Sequence, residues 1–66
     1  MQIIINGESH QVPERISITA LLQHLEVDAR QIAVEKGGEI VMRSRYDITP
    51  VQAGDSIELV EFVGGG

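Results

Sequence analysis

The chain has 66 residues, with ten acidic against five basic side chains, a net charge of -5, a pI near 4.7 and no cysteine. That size is near the lower limit for a single unassisted core, and the lack of thiols excludes disulfide staples, thiolate metal clusters and a cysteine nucleophile. The acidic balance disfavours contact with phosphate backbones and points to partners with basic surfaces.

Met1 leads straight into Gln2-Ile3-Ile4-Ile5 without a charged start or a small-residue cleavage site, and no apolar run approaches membrane-spanning length. The expectation is a soluble, cytoplasmic protein, monomeric when free. Gln2 to Asn6 is a β-branched run, and Asn6-Gly7 after it is a strong hairpin signal, because a type I′ turn needs positive φ at both central residues. Glu8 to Val12 is then the return strand, and Pro13 ends the hairpin by removing a ladder donor. Alternation puts Met1, Ile3 and Ile5 on one face and Ile4 on the other.

Ser17 fits an N-cap, and Ile18, Leu21, Leu22 and Leu25 follow at the i, i+3, i+4, i+7 spacing of a helix stripe, with Gln23 and His24 off it. A helix of about two to three turns is unstable alone, so this one must form by laying its stripe on a sheet. After a polar connection from Glu26 to Gln31, Ile32-Ala33-Val34-Glu35 alternates, Lys36-Gly37-Gly38-Glu39 supplies a turn, and Ile40-Val41 completes a second hairpin. Arg43-Ser44-Arg45 is polar, Tyr46 to Pro50 irregular or a short strand with Tyr46 partly buried at the sheet edge, and Ala53-Gly54-Asp55 a turn. Ser56 to Val60 is the last strand, with Ile57 and Leu59 inward. Two strands, a crossing helix and further strands predict an α+β roll: a mixed sheet with one main helix packed on one face.

Beyond the roll stands Val63-Gly64-Gly65-Gly66. Glycine loses the most freedom on ordering and offers no side chain to pack, so the triplet should stay extended and mobile. We read residues 1–62 as the domain and 63–66 as a flexible tail. A carboxyl on Gly66 would sit on an unbranched carbon that another protein's active site could enclose through a narrow passage.

The order of elements resembles the β-grasp, ubiquitin-like fold, and the whole chain resembles the ThiS family of sulfur carriers. Ile5-Asn6-Gly7-Glu8, Leu21-Leu22, Ala33-Val34-Glu35, Glu39-Ile40-Val41, Arg43-Ser44, Gly54-Asp55 and Val63-Gly64-Gly65-Gly66 carry the likeness. Three positions depart from it: Lys36 or Gly37, where family members often have Asn, Met42, where they often have Pro, and Phe62, where a small residue is common.

The resemblance implies a protein cosubstrate and not an enzyme. A ThiF-like adenylyltransferase would activate the Gly66 carboxylate with ATP, cysteine-derived sulfur would displace AMP to leave a thiocarboxylate, and a thiazole synthase (ThiG) would consume it in thiamine biosynthesis. Gly64, Gly65 and Gly66 would enter the partner's active site, and Val60, Phe62 and Val63 would form the docking surface beside it. No cofactor or metal is expected on the chain itself, since ATP belongs to the partner, and His10 and His24 read as surface histidines with no third ligand spaced to join them. The carboxylates Glu8, Glu14, Glu26, Glu35, Glu39, Glu58 and Glu61 suggest a solvated acidic face, with no pair marked as acid and base. Alternatives are a molybdopterin synthase small-subunit-like carrier, a ubiquitin-type protein modifier, and a non-covalent binding module that does not use the tail.

Overall fold

The computed structural model describes residues 1–61; Phe62, Val63 and the three glycines after them lie outside the described residues. Among the described residues seven short strands pair into two sheets, beside one α-helix. β1 (Gln2–Ile5) and β2 (Glu8–Gln11) form the first hairpin, with Asn6 and Gly7 at φ 50° and 81° as the type I′ reading requires. β4 (Ile32–Lys36) and β5 (Glu39–Val41) form the second, turning at Gly37 and Gly38. β7 (Ser56–Glu61) lies between the hairpins, parallel to β1 and antiparallel to β4, so the main sheet runs β2-β1-β7-β4-β5.

The helix α1 (Ile18–His24) starts where expected: Ser17 is extended, and Ala20 N–H donates to its Oγ at 3.1 Å. It stops in a Schellman arrangement, with Val27 N–H on Leu22 C=O, Glu26 N–H on Gln23 C=O, and Glu26 itself left-handed at φ 59°. Ile18, Leu21 and Leu22 are buried against Ile3, Ile5, Val34 and Ile57 of the sheet, which gives the short helix the packing it lacks alone.

Three features differ from the sequence reading. Ile16–Ser17 (β3) and Pro50–Val51 (β6) pair as a separate two-stranded sheet below the helix start. Ala29–Gln31 and Arg43–Arg45, read as polar connections, are single 3₁₀ turns. Tyr46 is not at a sheet edge but in the core, 5% exposed, where its hydroxyl donates to Ile32 C=O at 3.2 Å. A buried phenol needs such a partner, and the 3₁₀ turn before it swings the ring under β4.

Candidate functional site

The site is built on the strand that carries the chain towards the glycines. Because side chains alternate across a strand, the pairing of β4, β5 and β7 sorts their residues onto two faces. Val34 lies opposite both Val41 and Leu59, and these face the helix side. Ala33 opposite Val60, and Glu35 opposite both Ile40 and Glu58, therefore share the outer face. Met42, one residue past the end of β5, continues the same alternation, so that Met42, Ala33 and Val60 form a row beside the row Ile40, Glu35 and Glu58.

This face has an unusual composition. Ile40, Met42 and Val60 are 75%, 64% and 52% exposed, and they are three of the four large hydrophobics left open among the described residues; the fourth, Ile48, lies elsewhere. A shallow depression of about 270 Å³ at the edge of this face is lined by Ala33, Ile40 and Met42 together with Arg43 and the helix-side residues Ile32, Val41 and Tyr46; Val60 does not reach it. Single exposed apolar residues need no explanation, but a cluster on one sheet face is a feature of interaction sites. Glu35 and Glu58 add a second one. They are direct cross-strand neighbours, a like-charge pairing that costs stability, and neither has an ion-pair partner among the described residues.

Of the residues the sequence marks for docking, Val60 lies on this face, while Phe62 and Val63 lie outside the described residues, as do Gly64, Gly65 and Gly66. The sequence reading does not mark Ile40 and Met42, although Ile40-Val41-Met42 offers a signal: three successive apolar residues in a strand must put at least one outward.

The remaining polar groups hold structure. Lys36 Nζ donates to Pro50 C=O at 2.9 Å and sits 3.5 Å from the Asp55 carboxylate, tying the end of β4 to the segment before β7. Arg30 beside Asp28 holds that carboxyl below its ordinary value of 3.8, first through the side-chain hydrogen bond, at the turn leading into β4. His10 is 3.9 Å from Glu8 on β2, and His24 is exposed at the end of α1. Among the described residues no three histidine, aspartate or glutamate side chains converge as metal ligands.

A small mixed sheet wrapping one helix, with its central strand leading out beside an apolar face, defines a protein of the ubiquitin-like β-grasp class. The ThiS family model matches residues 3–66, and the chain belongs to the ThiS family. The crystal structure of the thiamine biosynthesis protein ThiS from Geobacter metallireducens superposes with a TM-score of 0.88 at 38% identity, with all of each chain covered. A thiazole synthase of Paramagnetospirillum magneticum is 44% identical over all 66 residues, and one of Magnetococcus marinus 36%. The chain spans 20% of the length of each of those two relatives.

Proposed function

We propose that this protein is a sulfur carrier for thiazole formation in thiamine biosynthesis, acted on by partner enzymes and not itself an enzyme. The observation that carries the reading is the match of residues 3–66 to the ThiS family model, with the glycine triplet included in the matched residues. In this reading a free α-carboxylate on Gly66 attacks the α-phosphorus of ATP in the active site of a ThiF-like adenylyltransferase. Pyrophosphate leaves, and an acyl-adenylate results. Sulfur derived from cysteine and supplied at the oxidation level of hydrosulfide then attacks the acyl carbon, the bond to AMP breaks and AMP leaves, and a thiocarboxylate remains for a thiazole synthase of the ThiG type.

The chemistry suits glycine. A carboxylate is a poor electrophile until adenylated, and an acyl carbon with no neighbouring Cβ admits both ATP and the sulfur nucleophile. Positioning and transition-state stabilisation come from the partner. The carrier contributes recognition, and the ordering of Gly64, Gly65 and Gly66 in a narrow site must be offset by docking of the folded body. Val60 with Ile40 and Met42 supplies apolar area for that docking, and the Glu35 and Glu58 pair favours a partner with basic residues around an apolar centre. Phe62 and Val63, which lie outside the described residues, are assigned to docking by their place in the sequence between Val60 and the glycines. Two relatives named thiazole synthase that contain a segment like this chain support a thiazole synthase as the enzyme that receives the sulfur.

Removal of Gly66 tests the reading. With a ThiF-like enzyme and ATP, the full chain supports ATP–pyrophosphate exchange, and the chain lacking Gly66 loses it while keeping its fold. Equal exchange by both would overturn the assignment to Gly66. A tail-independent binding module would keep its partner through the same deletion.

A further inference from the structure

The carboxamide of Asn6 reaches across to the C-terminal strand and bonds the backbone of one residue in both directions. Its Nδ2 donates to Leu59 C=O at 3.3 Å, and Leu59 N–H donates to its Oδ1 at 2.8 Å. The backbone ladder between β1 and β7 stops just short of this point. Ile4 N–H donates to Asp55 C=O and Asn6 N–H to Ile57 C=O, both at 2.9 Å, and the paired residues end at Ile5 opposite Ile57. β7 continues to Glu61 while the chain of β1 has already turned at Asn6 and Gly7.

The next rung would need a peptide group where the hairpin has bent away, and the side-chain amide of Asn6 supplies one. Among the described residues Leu59 N–H has no substitute partner on its other flank. Gly37 N–H donates to Ser56 C=O, and bonded pairs alternate from there along β4 and β7, so Val34 opposite Leu59 is a pair without mutual hydrogen bonds.

We propose that Asn6 is a positioning residue for the C-terminal strand: its carboxamide is the last rung of the β1–β7 ladder and fixes the line of β7 over its last described residues, up to Glu61. A turn alone does not require asparagine, since aspartate or glycine meets the positive φ as well. Of these three residues only asparagine offers a donor and an acceptor on separate atoms, as a peptide does. Beyond Leu59 the strand is held by β4, through Ala33 opposite Val60 and Ile32 opposite Glu61. The amide thus braces β7 on its second side just before the residues that lead to the tail. The functional consequence rests on the carrier reading: a strand end fixed on both sides offers the following residues to a partner's narrow passage at a smaller ordering cost.

Two variants separate the brace from the turn. Asn6→Gly keeps the left-handed turn and removes both bonds; Asn6→Asp keeps the turn and the acceptor but sets a carboxylate against Leu59 C=O. Amide hydrogen exchange on the free protein, read at Leu59 with Glu58 as internal control, measures the brace. In Asn6→Gly, Leu59 exchange rises about five- to tenfold relative to Glu58, the change that loss of one ordinary hydrogen bond supports. Asn6→Asp gives a smaller rise.

Steady-state adenylation by a ThiF-like enzyme measures the positioning: KM for Asn6→Gly rises about three- to tenfold, with kcat at saturating carrier retained. Unchanged exchange at Leu59 overturns the brace, and faster exchange with unchanged KM overturns the positioning role. A wild-type chain that is never adenylated overturns the carrier reading instead, and the exchange result still decides the brace.

Discussion

Truncating the two flanks of the outer-face row is the sharpest test of where the partner docks. Val60 and Met42 stand on either side of Ala33, each about 5 Å from it across the sheet, and so about 10 Å apart. Fully burying a side chain of this size contributes about 1.5–3 kcal/mol, and Val60 is already half covered while Met42 is 64% exposed. A partner that covers the rest therefore gains on the order of 1 kcal/mol from each, and either Val60→Ala or Met42→Ala raises KM for adenylation about fivefold. At that separation the effects add, so the double variant loses about 25-fold. Val60→Asp should lose about 30-fold, because it buries a charge in the contact and adds a third carboxylate beside Glu58 and Glu35.

The folded carrier should barely notice the alanine variants, since exposed positions away from caps and core shift stability by about 0.5 kcal/mol or less, whereas Val60→Asp also costs the free protein about 0.2–1 kcal/mol through its like-charge neighbours. The assay is steady-state ATP–pyrophosphate exchange against carrier concentration, with thermal denaturation as control. An unchanged KM for the double variant, at unchanged Tm, would refute docking through this face.

Other substitutions test the account from different sides. Glu58→Lys turns the repulsive pair with Glu35 into an attractive one, so it should stabilise the free protein by about 0.2–1 kcal/mol in denaturant titrations while raising KM for the partner; a variant both more stable and equally well recognised would remove the electrostatic part of the argument. Tyr46→Phe leaves the Ile32 carbonyl without its buried donor and should cost about 1–2 kcal/mol, seen as a Tm about 5–10 °C lower, whereas a Tm within a degree of wild type would mean that the bond is worth nothing. Glu26→Gly should raise Tm by a few degrees, because the helix-ending residue is left-handed at φ 59° and a Cβ there is strained by about 1 kcal/mol.

The sequence was legible wherever a local rule decided the outcome. Asn6-Gly7 dictated a two-residue hairpin, Ser17 a helix start, and the spacing of Ile18, Leu21 and Leu22 a buried stripe, and each needed only neighbours within a turn or so. What escaped depends on distant partners. Ile16–Ser17 and Pro50–Val51 are too short to alternate and become strands only because they meet each other, with Pro50 tolerated because this pair is short and peripheral. Tyr46, between Arg45 and Asp47, looks peripheral until Ile32 supplies its acceptor 14 residues away.

The same holds for the site. Val60 could be marked from its place near the glycines, but Ile40 and Met42 join it only through the β7-β4-β5 order of the sheet. Asn6 was readable as a turn residue, whereas its bonds to Leu59 span 53 positions and have no local signature.

The central claim concerns one group, and the intact mass of the protein reads it directly. After incubation with a ThiF-like enzyme, ATP and a cysteine-derived sulfur donor, the mass should rise by the difference between one sulfur and one oxygen, with the change located by fragmentation to Gly66. A mass that stays constant while the partner is demonstrably active would contradict the sulfur-carrier account.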